Sequence, residues 1–165
     1  PGRFLRDPFV MKSNYISYAT HASWQWEVRS AVDRSIPYAK HYLEGLAHVT
    51  GDQDAEIVFV ACGTASHQAK EANRELTKMG IKSKVIKLRS IRPFPHAELL
   101  EATKSAKYIF VPEFNVVGWL EKEVTQSLYG KSEAKIIGRP RVAGGMSMPV
   151  EAILKEVLEN VKKGA

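Results

Sequence analysis

From Asp52 onward the chain alternates between short apolar runs and stretches whose apolar residues recur every three or four positions. Glu56-Ile57-Val58-Phe59-Val60-Ala61-Cys62 is a nearly unbroken apolar run, as a strand covered on both faces requires. It stops at Gly63-Thr64-Ala65-Ser66. Ala69, Ala72, Leu76 and Met79 then mark one face of a helix, and Gly80 supplies its stop. The cycle repeats with a strand at Lys84–Leu88, a rigid Arg92-Pro93-Phe94-Pro95 link, and a helix carrying Leu99, Leu100 and Thr103. A third strand is predicted at Lys107–Val111. The loop Pro112–Gly118 leads into a helix with Leu120, Val124 and Leu128, and Lys135-Ile136-Ile137 forms a short fourth strand. The last helix has the clearest stripe: Val150, Ile153, Leu154, Val157, Leu158 and Val161, with Pro149 in its first turn and Lys162-Lys163 suited to its C-terminal dipole.

Strands alternating with helices of this length predict an α/β fold, a three-layer α/β/α sandwich with a mostly parallel central sheet. The first fifty residues read differently. Arg3 to Thr20 is aromatic and irregular (Phe4, Phe9, Tyr15, Tyr18) and reads as an arm lying on a surface. Trp24 and Trp26 precede a helical pattern of Val28, Val32, Ala39 and Leu43, which Pro37 should kink or divide. The expected organisation is therefore an arm over 1–20, a helical lead-in over 21–51 and an α/β domain over 52–165, together one structural domain.

Composition narrows the classes. The 165 residues are 44% hydrophobic and 25% charged, ordinary for a globular chain, which removes disordered and fibrous readings. No apolar run nears the ~20 residues of a bilayer span, and Pro1-Gly2-Arg3-Phe4-Leu5-Arg6 has no signal-peptide core. The first residue is not methionine, which leaves a processed product, a fragment or a domain of something larger open. A single cysteine forbids an internal disulfide and an all-cysteine metal site, and favours a reducing, cytoplasmic setting. The net charge of +6 comes from bases mixed with acids, as in Lys122-Glu123. No basic block with interleaved aromatics appears, so nucleic acid is a poor fit as a partner.

Ligands of open α/β sheets gather at the carboxyl ends of the strands. Three segments fall there. Gly63-Thr64 could cradle a phosphate at a helix N-terminus. A dinucleotide fingerprint would need glycine at 65 and 68, where Ala65 and Gln68 stand, and there is no Walker lysine. Helix capping by Thr64 or Ser66 is the simpler reading. Cys62 could be a nucleophile, yet a phosphatase-type loop would want arginine where Gln68 stands and His67 has no orienting carboxylate, so an inert strand cysteine is favoured. A phosphoacceptor receiver is excluded because the first strand ends in Cys-Gly rather than aspartate. Glu113 and Asn115 suit either a ligand or interface role or plain turn chemistry, with Gly118 allowing tight packing. The five histidines have no metal spacing. The residues thus describe a well-made domain without a self-sufficient catalytic, cofactor or metal site.

Several segments together are similar to one family: Asp54-Ala55-Glu56, Gly63-Thr64 with Ala69 and Ala72, Gly80-Ile81-Lys82, Ile86 through Pro95, and Val111-Pro112-Glu113-Phe114-Asn115 with Gly118. They resemble the second domain of the alpha chain of 2-oxoacid:ferredoxin oxidoreductases, which is related to the transketolase C-terminal domain. Arg92-Pro93-Phe94-Pro95 is the most specific element and leans toward the pyruvate branch. Ser23-Trp24-Gln25-Trp26 through Val32 fits the region preceding that domain. Cys62 departs mildly, since a small or apolar residue followed by Gly-Ser is the usual form.

The resemblance implies a component of a multi-subunit enzyme that oxidatively decarboxylates a 2-oxoacid to an acyl-coenzyme A. Such a complex uses thiamine diphosphate, Mg, iron–sulfur clusters and coenzyme A, and passes electrons to ferredoxin. This chain lacks the Gly-Asp-Gly…Asn and Cys-x-x-Cys signatures, so it is expected to hold none of these alone and to be inactive by itself. Its implied role is architectural, with other domains or subunits as partners and no membrane. Gly63, Thr64, Arg92, Pro93, Phe94, Glu113, Asn115 and Gly118 are the interface or ligand candidates. Arg92 can grip a carboxylate bidentately, and Tyr15, Trp24 and Trp26 suit interface anchors. The rival is a free-standing module holding an anionic nucleotide or coenzyme A with Gly63, Thr64 and Arg92.

Overall fold

In a computed structural model the chain divides into two compact units, Pro1–Glu44 and Gly45–Ala165. The structure describes residues 45–143 and 145–163, together with Ser30, Asp33, Arg34 and Pro37, which are helical. The expected aromatic arm, with Tyr15, and the tryptophans Trp24 and Trp26 lie outside the described residues.

The second unit contains five strands: β1 (Ala47–Gly51), β2 (Ile57–Cys62), β3 (Ser83–Leu88), β4 (Tyr108–Phe110) and β5 (Lys135–Ile137). Helix α1 (Gly63–Lys78) follows β2, α2 (His96–Ala102) follows β3, α3 (Trp119–Leu128) follows β4, and α4 (Val150–Lys163) follows β5. The sheet order is β1-β3-β2-β4-β5, parallel except for β1, which pairs antiparallel with β3. Mostly parallel α/β is therefore the architecture. One segment differs from expectation. Residues 47–51, taken as the end of a helical lead-in, form the edge strand β1. Its sequence, Ala-His-Val-Thr-Gly, has no apolar run, because an edge strand buries little and gains its order from pairing with β3.

Central strand β2 shows why its sequence is apolar throughout. Ile57, Phe59 and Ala61 join the core under α1 and α4, with Ala65, Ala69, Ala72, Leu76, Ile153 and Val157. Val58 and Val60 face the opposite core, with Ile86, Leu99, Ile109, Val124 and Leu128 from β3, α2, β4 and α3. Alternating side chains of one strand thus fill both layers. In α4 the stripe centres on fully buried Ile153 and Val157, while Leu154 is only partly buried against that core.

Local chemistry sets the ends. Helix α1 closes at Gly80, whose φ of 75° admits the left-handed turn. The Ile81 N–H donates to the Leu76 carbonyl at 2.9 Å and the Gly80 N–H to that of Thr77 at 3.0 Å. This double closure satisfies orphan carbonyls, and Ile81 packs on the same core as Leu76. Within β3, buried Lys84 donates from Nζ to the Gln53 carbonyl at 2.7 Å and Ser105 Oγ at 3.0 Å, joining two loops. Burial pushes its pKa below the ordinary lysine value, partly countered by Asp54.

Candidate functional site

The winding of the sheet reverses between the parallel neighbours β2 and β4. The connection from β2 runs through α1 toward β3, over the core shared with α4, and the connection from β4 runs through α3 toward β5, over the other core. Such a switch point opens a crevice beyond the strand ends. An open cleft of about 490 Å³ lies there, lined by Cys62–Ala65, Pro112–Asn115, Gly145 and Met146. Of the expected site residues, the cleft brings together Gly63, Thr64, Glu113 and Asn115.

Glu113 is the most constrained. Its N–H donates to the Pro140 carbonyl at 3.1 Å, and its own carbonyl accepts the Val142 N–H at 3.1 Å, so the backbone is held on the 140–142 segment. The side chain is buried, and its two carboxylate oxygens accept the Leu120 N–H at 3.0 and 3.1 Å. Leu120 belongs to the first turn of α3, whose preceding residue, Gly118, offers no side chain to cap it. Glu113 is therefore a helix cap delivered from the connection that follows β4, with its carboxylate against the positive end of the α3 dipole.

Asn115 does turn chemistry: its Oδ1 accepts the Val117 N–H at 2.8 Å, and its carbonyl accepts the Gly118 N–H at 3.3 Å. Gly118 sits at φ 69°, and a Cβ there would lie 2.6 Å from Cζ of Arg141. Arg141 pairs with Glu121, and a Cβ at Gly138 would overlap the Glu121 carboxylate. Two glycines thus make room for one ion pair beside the cleft. Sequence patterning singled out Gly118 but missed Gly138, Glu121 and Arg141, because no periodicity links residues that meet only when β5 pairs with β4.

On the other wall, α1 begins at Gly63 with no side chain capping its N-terminus. Neither Thr64 nor Ser66 caps it, contrary to expectation. The Ser66 hydroxyl donates instead to the Gly63 carbonyl at 2.6 Å, because Ser66 is already inside the helix and points back along it. Cys62 is partly buried. Burial first, and the Glu113 carboxylate second, push its thiol above the ordinary value, which keeps it protonated and weakly nucleophilic.

The remaining candidates lie outside the cleft. Arg92 is exposed and donates to Glu123 at 2.7 Å on α3, so Gly63, Thr64 and Arg92 do not converge on one anion. Phe94 is a core residue packed against the His96 ring at 5.1 Å, and Pro93 is half-buried. The Glu113 carboxylate, near enough to raise the Cys62 thiol, also works against an anion at the α1 N-terminus. No group of three or more His, Cys, Asp or Glu among the described residues is placed to hold a metal ion. A single cysteine supplies no cluster ligand set, and the one carboxylate lining the cleft is committed to the Leu120 N–H. The described residues therefore supply no ligand set for an iron–sulfur cluster or a magnesium–diphosphate group. No described helix is long and apolar enough to cross a membrane.

Comparison with known proteins finds related chains and shared folds. The pyruvate synthase subunit PorA of Methanosarcina barkeri is 36% identical over 118 residues, covering 68% of this chain and 29% of the relative. The ketoisovalerate oxidoreductase subunit VorA of Pyrococcus abyssi is 36% identical over 115 residues, covering 67% and 29%. The chain thus spans 29% of the length of these curated relatives. Two solved structures share the fold. A 2-oxoglutarate:ferredoxin oxidoreductase from Magnetococcus marinus, with 2-oxoglutarate, coenzyme A and succinyl-CoA bound, has a TM-score of 0.58 at 24% identity, over 70% of this chain and 19% of that one. A split gene transketolase, an inactive beta4 tetramer, has a TM-score of 0.60 at 19% identity, over 70% and 41%. The family described as pyruvate:ferredoxin oxidoreductase core domain II matches residues 55–153, more than half of the sequence. On that match, and with the fold it requires, the chain belongs to the pyruvate:ferredoxin oxidoreductase core domain II family.

Proposed function

We propose that this chain is the architectural second domain of a multi-subunit 2-oxoacid:ferredoxin oxidoreductase, and that it supplies shape and contact surface rather than reacting groups. The observation that carries this reading is the state of the switch-point cleft. Glu113 and Asn115, its two polar side chains best suited to ligand work, are both committed to building the β4–α3 connection. Thiamine diphosphate, Mg, iron–sulfur clusters and coenzyme A are assigned to other domains or chains of the enzyme, together with transfer of electrons to ferredoxin. The enzyme works in the cytoplasm. Pyruvate is the 2-oxoacid favoured by Arg92-Pro93-Phe94-Pro95, although the relatives' names span pyruvate, ketoisovalerate and 2-oxoglutarate.

The test is reconstitution. Ferredoxin reduction is measured with pyruvate, ketoisovalerate or 2-oxoglutarate, using this chain alone and then the complete enzyme containing it. The expected result is no turnover by the chain alone and turnover by the assembly, fastest with pyruvate. Turnover by the isolated chain given thiamine diphosphate would overturn the architectural role. Calorimetry with coenzyme A or a nucleotide addresses the binding-module rival: micromolar binding lost in Arg92→Ala would establish it instead.

A further inference from the structure

The exposed large hydrophobic side chains of the described residues are unevenly placed. Ile91, Val116, Val117, Trp119 and Met146 all lie in the segments that follow β3, β4 and β5 at the carboxyl edge of the sheet. Of the others, Met79 and Tyr129 close the opposite ends of α1 and α3, and Val49 sits on the edge strand. The first set is grouped at that edge. Asn115 and Met146 line the same cleft, the Asn115 turn carries Val117, and Trp119 opens α3 directly after it. The ion pair from Arg92 to Glu123, one turn beyond Trp119, ties the Ile91 segment to the same helix. Trp119 is 60% exposed, Val116 62% and Met146 64%. Lys122 Nζ lies 5.7 Å from the Trp119 ring centroid, which leaves the indole flanked by a cation as at many interface anchors.

Single exposed hydrophobics need no explanation, but a grouped set around one cleft marks a protein contact. The relatives indicate its occupant, because the stretch matched here is only 29% of their length and in them a much longer polypeptide accompanies it. We infer that the rim formed by Ile91, Val116, Val117, Trp119 and Met146 is the face on which the remainder of the oxidoreductase subunit docks through an apolar surface of its own. This deepens the architectural reading and rests on it.

Hydroxyl-radical footprinting of the intact enzyme and of the separate 165-residue chain tests this. Oxidation of Trp119 and Met146 should fall about tenfold in the enzyme, as at a desolvated interface core, while Tyr129 and Met79 change little. Val117→Asp should weaken association of the chain with the rest of the enzyme about tenfold while its own melting temperature stays unchanged. Equal reactivity of Trp119 and Met146 in both samples overturns the docking face and leaves the architectural role standing. Protection already present in the separate chain, with a doubled mass in sedimentation, overturns it in favour of a second copy. If the chain fails to co-purify with any oxidoreductase component, the architectural reading itself falls, and the docking face with it.

Discussion

Replacing Glu113 by alanine removes the one side chain among the described residues that caps α3 and leaves the buried Leu120 N–H without its acceptor. Both carboxylate oxygens share one donor, so the interaction counts once. A hydrogen bond to a charged acceptor contributes about 1.5–3 kcal/mol, and a carboxylate at a partly buried helix N-terminus adds up to ~2 kcal/mol. Glu113→Ala should therefore destabilise the domain by about 2–4 kcal/mol, a loss of roughly 5–12 °C in melting temperature for a chain of this size. Glu113→Gln keeps an acceptor and loses the charge, so about 0.5–2 kcal/mol is expected. Urea denaturation followed by circular dichroism measures both. Cys62 provides a second readout. Because the Glu113 carboxylate holds the Cys62 thiol up, Glu113→Gln should lower that pKa, though burial, the larger cause, keeps it above 9.0. An unchanged midpoint in Glu113→Ala would refute the cap, and an unmoved Cys62 titration in Glu113→Gln would refute the coupling of the carboxylate to the thiol.

Further expectations concern other parts of the fold. Gly118→Ala should cost more than Gly80→Ala: both sit at positive φ, but a Cβ at Gly118 meets the Arg141 guanidinium while nothing lies within 4 Å at Gly80, where about 1 kcal/mol is expected. Equal melting shifts for the two would show that Arg141 yields freely. Ile153→Ala should cost about 3–4 kcal/mol and Leu154→Ala clearly less, since Ile153 is fully buried and Leu154 is not; reversed denaturation midpoints would move the centre of the α4 contact. Alkylation of Cys62 should be slower than that of a free thiol and should titrate above pH 9. Its raised folded pKa contributes stability fully present below pH 9 and lost as pH rises through the folded value, so Cys62→Ala should flatten that alkaline slope. Arg92→Ala should leave the melting curve unmoved, as its pair with Glu123 is solvent-screened; a clear loss would assign Arg92 a folding role.

The elements after Asp52 were legible because each signal is local. The β2 run is apolar on every position because it is buried on both faces, the α4 stripe repeats at helical spacing, and Gly80 stops α1 by a backbone geometry that glycine adopts freely. The motif Arg92–Pro95 was read in place, yet Phe94 proved to be core and Arg92 a surface pair with α3, because a motif does not say which side its residues face. Strand β1 was missed because an exposed edge strand has no apolar run, and its partner β3 lies some forty residues away in sequence.

Sequence alone therefore determined the class of fold, the order of its strands and helices from β2 onward, and the family. Tertiary structure alone decided what Glu113, Asn115 and Gly118 do. A cap, a turn and a glycine beneath Arg141 are settled by which strand pairs beside which, and hydrogen bonds between β4, α3 and the segment after β5 join residues that no local pattern connects.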